Sequence, residues 1–273
     1  MAKITGVVFY KGKSRIDGQP IVAIATFNTD NAKTGKLVQT WILRSDKDPI
    51  EAVNDDSDKS ICGNCPLRGR IADASERIHE STRGGTTVNK GRSCYVTIQN
   101  APLAVYRAFV KGLYPELSPE HAPLMSDKGL RYGSYGDPVA VPMKAWDRLK
   151  KFCTGKTAGY THQWADKRFR HWSKRVMAST HSVEENAQAH ATGWRTFRTV
   201  ASEADKGSGE IHCPASTEGG FRKTCAECGA CNGRNGTTDG RVSVVIVAHG
   251  GSGKVQQVAR VIESRRIALS LAA

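Results

Sequence analysis

Residues 176–200 read Val176-Met-Ala-Ser-Thr-His-Ser-Val-Glu-Glu185-Asn-Ala-Gln-Ala-His-Ala-Thr-Gly193-Trp-Arg-Thr-Phe-Arg-Thr-Val200. They decide the fold class. Val176–Ser179 is a short apolar run, as a buried strand requires. Ser182 opens a capping-box pattern with Glu185 three positions on, so a helix is expected to start there. Gly193 stops that helix. Thr196–Val200 is rich in β-branched and aromatic residues and predicts the next strand. Strand, helix and strand at this spacing make a parallel βα unit.

The same rhythm extends both ways. Upstream, strands are expected at Tyr95–Gln99, Leu130–Tyr135 and Gly159–Trp164. Helices are expected at Leu103–Leu113, with Asn100 as cap, and at Met143–Phe152, and a basic helix at Asp166–Lys174. Downstream come strands at Glu210–Cys213 and Val242–Ala248, then a helix over Lys254–Leu271. Six or seven such strands fit a TIM-like βα barrel, incomplete or irregular, or an open doubly wound sheet. No G-x-G-x-x-G follows the first strand, so the dinucleotide-binding version lacks its fingerprint. The barrel is the expected form. Gly250-Gly-Ser-Gly-Lys254 resembles a phosphate loop, but Ala248 and Val255 stand where Gly and Ser or Thr are needed.

Residues 1–60 differ. Gly6–Tyr10, Pro20–Phe27 and Leu37–Leu43 are β-rich and separated by turns, which predicts a small antiparallel region ahead of a barrel-like domain at 61–273. Residues 66–93 are polar and Gly-rich, a long loop with a short helix expected around Ala72–His79.

Eight cysteines are the strongest chemical signal. Cys225, Cys228 and Cys231 form C-x2-C-x2-C, with Cys213 twelve residues upstream. Four thiolates at such spacing suit tetrahedral zinc, and the triple also suits iron–sulfur ligation. Cys62 and Cys65 form a second C-x2-C, with Cys94 downstream. That leaves a fourth position to His79, Cys153 or an exogenous molecule. The N-terminus lacks a signal-peptide pattern, so disulfides are not expected and the chain is expected in the cytoplasm. No apolar run reaches membrane-spanning length.

Forty Lys+Arg against 26 Asp+Glu give a net charge of +14. This favours a polyanionic partner, nucleic acid or nucleotide. Lys167, Arg168, Arg170, Lys174 and Arg175 cluster around Phe169 and Trp172. They read either as a phosphate-binding patch with stacking aromatics or as a solvated face over two buried rings. Other polar groups gather at expected strand ends: Asp137, His162, Gln163, His181, Arg198, Cys213 and His249. In parallel βα folds these ends share one face. Asp137, His162, His181 and Arg198 are therefore the candidate acid–base and anion-binding groups. The other reading of Asp137 is a simple helix cap.

Several runs together resemble a cysteine-rich family of tailed-bacteriophage proteins: Gly136-Asp-Pro138, Ala158-Gly-Tyr-Thr-His-Gln-Trp164, Met177-Ala-Ser179, Gly193-Trp-Arg-Thr-Phe-Arg198, Cys213-Pro-Ala-Ser216 and the late cysteines. The resemblance spans roughly residues 60–235 and extends distantly to radical-SAM-type barrels. It implies a barrel, a metal, an early motif at Cys62, Cys65 and Cys94, and a late one at Cys213, Cys225, Cys228 and Cys231. It also implies a phage-infected host cell, with S-adenosylmethionine as a further cofactor. The usual radical-SAM motif packs its three cysteines into one short segment, whereas Cys94 lies 29 residues after Cys65.

Overall fold

The computed structural model describes residues 4–27, 31–71 and 89–270. Eleven strands occur among them: β1 Gly6–Lys13, β2 Pro20–Thr26, β3 Leu37–Arg44, β4 Arg70–Ile71, β5 Asn89–Lys90, β6 Gly129–Tyr132, β7 Thr157–Thr161, β8 Met177–Thr180, β9 Thr196–Val200, β10 Glu210–His212 and β11 Ser243–Val247. Nine form one sheet in the order β1-β2-β3-β6-β7-β8-β9-β11-β10, and β4 pairs with β5 alone. From β3 to β10 every neighbouring pair is parallel. The sheet does not close: β1 and β10 stay at opposite edges.

The antiparallel strands β1, β2 and β3 form as expected. They continue the main sheet, because Leu37 and Val38 of β3 pair with Gly129 and Leu130 of β6. Most βα elements also form within a few residues of expectation. The longer described helices are Ala101–Val110, Met143–Lys150, Val183–Ala191 and Ser252–Ser270, and the basic segment Lys167–Lys174 is a 3-10 helix. Tyr95–Gln99 is not a strand. Cys94 bonds instead to the carbonyl of Leu67, which pulls this segment onto the loop after Cys65. The short helix expected around Ala72–His79 lies outside the described residues.

Capping of Val183–Ala191 differs in one detail. Ser182 Oγ accepts the Glu185 amide at 3.1 Å, but Glu185 returns its carboxylate to the amide of His181 at 2.7 Å. The bond thereby fixes His181, the first residue after β8. No described helix is long and apolar enough to cross a membrane.

Two apolar layers follow from strand alternation. Tyr132 on β6 packs with Trp146 at 4.9 Å, and Trp146 with Phe9 at 4.8 Å and Trp172 at 6.4 Å between ring centroids. Trp146 Nε1 donates to the Pro138 carbonyl at 2.9 Å. Ala158, Met177, Val244 and Ile246 form a smaller layer with Cys213 and Cys231. Register places Arg131, Ala158, Tyr160, Met177, Phe197 and Val244 on that second face. His162 and His181 continue the same alternation just past β7 and β8.

Candidate metal centres

The late cysteines come together from two loops. Thr224 caps the single turn Cys225–Cys228, and Gly229 ends it in the left-handed conformation at φ 65°. Glycine adopts that conformation without the Cβ penalty of other residues. The amide of Cys225 bonds the Lys33 carbonyl at 3.0 Å, and that of Gly159 bonds the Cys231 carbonyl at 2.9 Å. Cys213 follows β10 and is fixed through its amide to Val245. Cys213, Cys225, Cys228 and Cys231 then line one cavity of about 20 Å³, with Ala158, Tyr160 and Val244. That is room for a single water-sized occupant. Burial pushes the Cys231 thiol up to about 12, with the neighbouring thiols adding to it, and raises Cys213 and Cys225 as well. A cation in the cavity reverses that preference.

The early cysteines also converge. Cys62 ends the turn Lys59–Cys62, and Gly63 follows at φ 55°. A Cβ on Gly63 would sit 2.5 Å from the Gln163 side chain, so this position needs glycine on steric grounds too. Gln163 straps the loop to the end of β7. Its Oε1 accepts the Asn64 amide at 3.1 Å, and its Nε2 donates to the Cys62 carbonyl at 3.1 Å. The Leu67 carbonyl accepts the amides of Ser93 and Cys94 at 3.1 and 2.9 Å. Burial, then the charges of Asp58, Cys65 and Cys94, raises the Cys62 thiol, and burial, then Cys94, takes Cys65 up to about 12.

His162 and His181 lie beside Cys65. Cys65 Sγ lies 3.8 Å from His162 Nε2, which lies 3.2 Å from His181 Nε2. Burial, then the Arg265 charge, lowers His162 to about 4; burial, His162 and Arg265 lower His181 well below its ordinary value. Both rings are therefore neutral near pH 7, the form that ligates metals. Among the described residues, His181 Nδ1 and Tyr135 Oη are buried without a hydrogen-bond partner. Among the described residues, no three His, Cys, Asp or Glu side chains form a ready-made ligand group.

The remaining candidates divide. Asp137 joins this region as an organiser. It accepts from Val139 at 3.2 Å, Thr161 Oγ1 at 3.0 Å, the His162 amide at 2.8 Å and Gln163 at 3.4 Å. Burial raises its carboxyl to about 6 despite these bonds. Asp137 caps the short turn Pro138–Ala140 with one carboxylate oxygen and holds the His162 amide with the other. Arg198 is not brought to the histidines. It pairs with Glu210 at 2.5 Å, both side chains being 5% exposed or less, because it alternates onto the other face with Thr180. Cys153 is not near the early thiols. It precedes β7, whereas His162 follows it, and a five-residue strand separates the two by about 17 Å. His79 lies outside the described residues.

The basic segment keeps its exposed charges but loses its stacking rings. Phe169 and Trp172 are 5% and 2% exposed, so they are unavailable for base stacking. Arg168 pairs with Asp166 and Arg175 with Asp147. Lys167, Arg170 and Lys174 are exposed.

Sequence reading missed Arg92, Asp58, Tyr135 and Arg131. Arg92 lies 3.5 Å from Asp58, and both act on the Cys62 thiol. Their nearness to Cys94 and Cys62 in sequence is the signal that finds them. No family model, curated protein or solved structure matches the chain.

Proposed function

We propose that the protein is a metalloenzyme acting on nucleic acid or a nucleotide, with two cysteine-ligated centres on one face of an incomplete βα barrel. The observation that carries this reading is the gathering of seven thiols, from segments far apart in sequence, into two groups. The late group suits one zinc ion, since its cavity matches a single occupant and four thiolates satisfy tetrahedral coordination.

The early group is the reactive centre in this reading. Cys62, Cys65 and Cys94 with His162 as fourth ligand would hold zinc. With the fourth position left to an exogenous molecule, the three thiolates would hold an iron–sulfur cluster, to which S-adenosylmethionine is the cofactor the resemblance adds. His181 then supplies a neutral imidazole beside the metal for proton transfer. The net charge of +14 supports a polyanionic substrate. The resemblance to bacteriophage proteins supports a cytoplasmic setting in an infected host.

The test is metal analysis and a visible spectrum on protein purified without oxygen. Two metal centres per chain are expected, and absorption beyond 400 nm would assign iron–sulfur to the early one. Metal-free protein of unchanged stability after chelation would refute the reading.

A further inference from the structure

Most deeply placed guanidinium groups in this chain are matched. Arg44 pairs with Asp46, Arg68 and Arg92 with Asp58, and Arg198 with Glu210. Arg195 donates to the carbonyls of Ala230, Gly233 and Val242.

Arg131 differs. It stands on β6 in register with Ala158, so its side chain leaves the face that carries Tyr160, His162 and the late cysteines. Among the described residues its guanidinium donates only to Tyr95 Oη, at 2.6 Å. Besides Tyr95, its near neighbours are Tyr160 and Cys225, whose ionisation burial opposes. No carboxylate is among them. Tyr95 directly follows Cys94, and its ring lies 6.3 Å from that of His249, just past β11. The Arg131–Tyr95 pair therefore sits between the two thiol groups. It is open to a ligand: Tyr95 is 55% exposed and Arg131 is partly exposed.

A guanidinium fork with one neutral partner keeps most of its five donors free. Planar paired N–H groups of this kind recognise oxyanions bidentately. We propose that Arg131 and Tyr95 form the phosphate-recognition point of the substrate site, gripping a nucleotide phosphate between the two centres. This rests on the reading of that face as the substrate side of a metalloenzyme, and it names the group by which substrate is held.

The experiment is calorimetric titration of the full chain with each of the four 2′-deoxynucleoside 5′-monophosphates, the matching nucleosides and inorganic phosphate. Metal content is measured on every sample. At least one nucleotide should bind about ten-fold or more tighter than its nucleoside. Arg131→Met should erase that difference, Arg131→Lys should keep part of it, and Tyr95→Phe should weaken it several-fold. The exposed Tyr95 site makes the last variant safe for folding. Equal binding of nucleotide and nucleoside by the wild type, or an unchanged difference in Arg131→Met, would overturn the proposal. Loss of metal in Arg131→Met would also overturn it, showing that Arg131 balances thiolate charge. If metal is absent but the difference persists and depends on Arg131, the phosphate site stands and the metalloenzyme reading fails.

Discussion

His162 Nε2 lies 3.2 Å from His181 Nε2, on side chains that follow adjacent parallel strands. Two neutral imidazoles at this distance leave one ring nitrogen to donate and the other to accept. A metal at the early cysteines would compete for His162, whose Nε2 already lies 3.8 Å from Cys65 Sγ. With zinc held by His162 as the fourth early ligand, replacing His162 by Ala should remove the early metal and leave the late one, halving metal content per chain. Replacing His181 by Ala should leave both metals and reduce activity. Elemental analysis separates the two, and equal metal loss in both variants would contradict the assignment.

The late site makes a stability prediction. Metal-binding free energy at such a site is folding free energy. Cys228→Ser should lower metal content by one equivalent and lower the melting temperature. A chelator should reproduce the shift in wild type and have less effect on the variant. A thermal melt with and without chelator decides it.

The pair Arg198–Glu210 gives a pH dependence. Burial alone would raise the Glu210 carboxyl, but Arg198, Gly207 and Asn186 together hold it below its ordinary 4.5. A carboxyl depressed in the folded state contributes stability above its unfolded pKa and loses it as pH falls through the folded value. Stability should therefore fall below about pH 4.5 in part through this group. Glu210→Gln should flatten that slope and cost about 3–5 kcal/mol near pH 7, since it leaves Arg198 buried without its counter-charge. The double variant Arg198→Met with Glu210→Met should recover much of this. Denaturant unfolding across pH 3–7 measures both effects.

The basic face is expected to act through charge alone. Lys167→Glu, Arg170→Glu and Lys174→Glu together should weaken nucleic-acid binding and reduce its salt slope, because fewer phosphate contacts release fewer counterions. Trp172→Phe, inside the core, should change stability and leave the salt slope unchanged. Filter binding at several salt concentrations is the check, and a salt slope unchanged by the triple reversal would remove this face from the interface.

Local patterns in the sequence were enough for the βα elements, since apolar period, caps and turn residues act over a few positions. The Ser182 cap and the stop near Gly193 are of this kind, as are β1, β2 and β3. The C-x2-C spacings likewise marked both thiol groups, because cysteines three positions apart meet on one side of a turn by local geometry alone. Long-range pairing decided the rest. Whether β1 meets β10 depends on the accumulated twist and curl of nine strands, which no single segment encodes. Arg198 and His181 both belong near strand ends, yet side-chain alternation sends Arg198 to Glu210 on the opposite face. Phe169 and Trp172 look alike as base-stackers or core residues until the β6 layer covers them. Gln163 and Asp137 gain their roles only when the Cys62 loop, far away in sequence, folds onto the end of β7, because a hydrogen bond needs its two partners within about 3 Å whatever their separation along the chain.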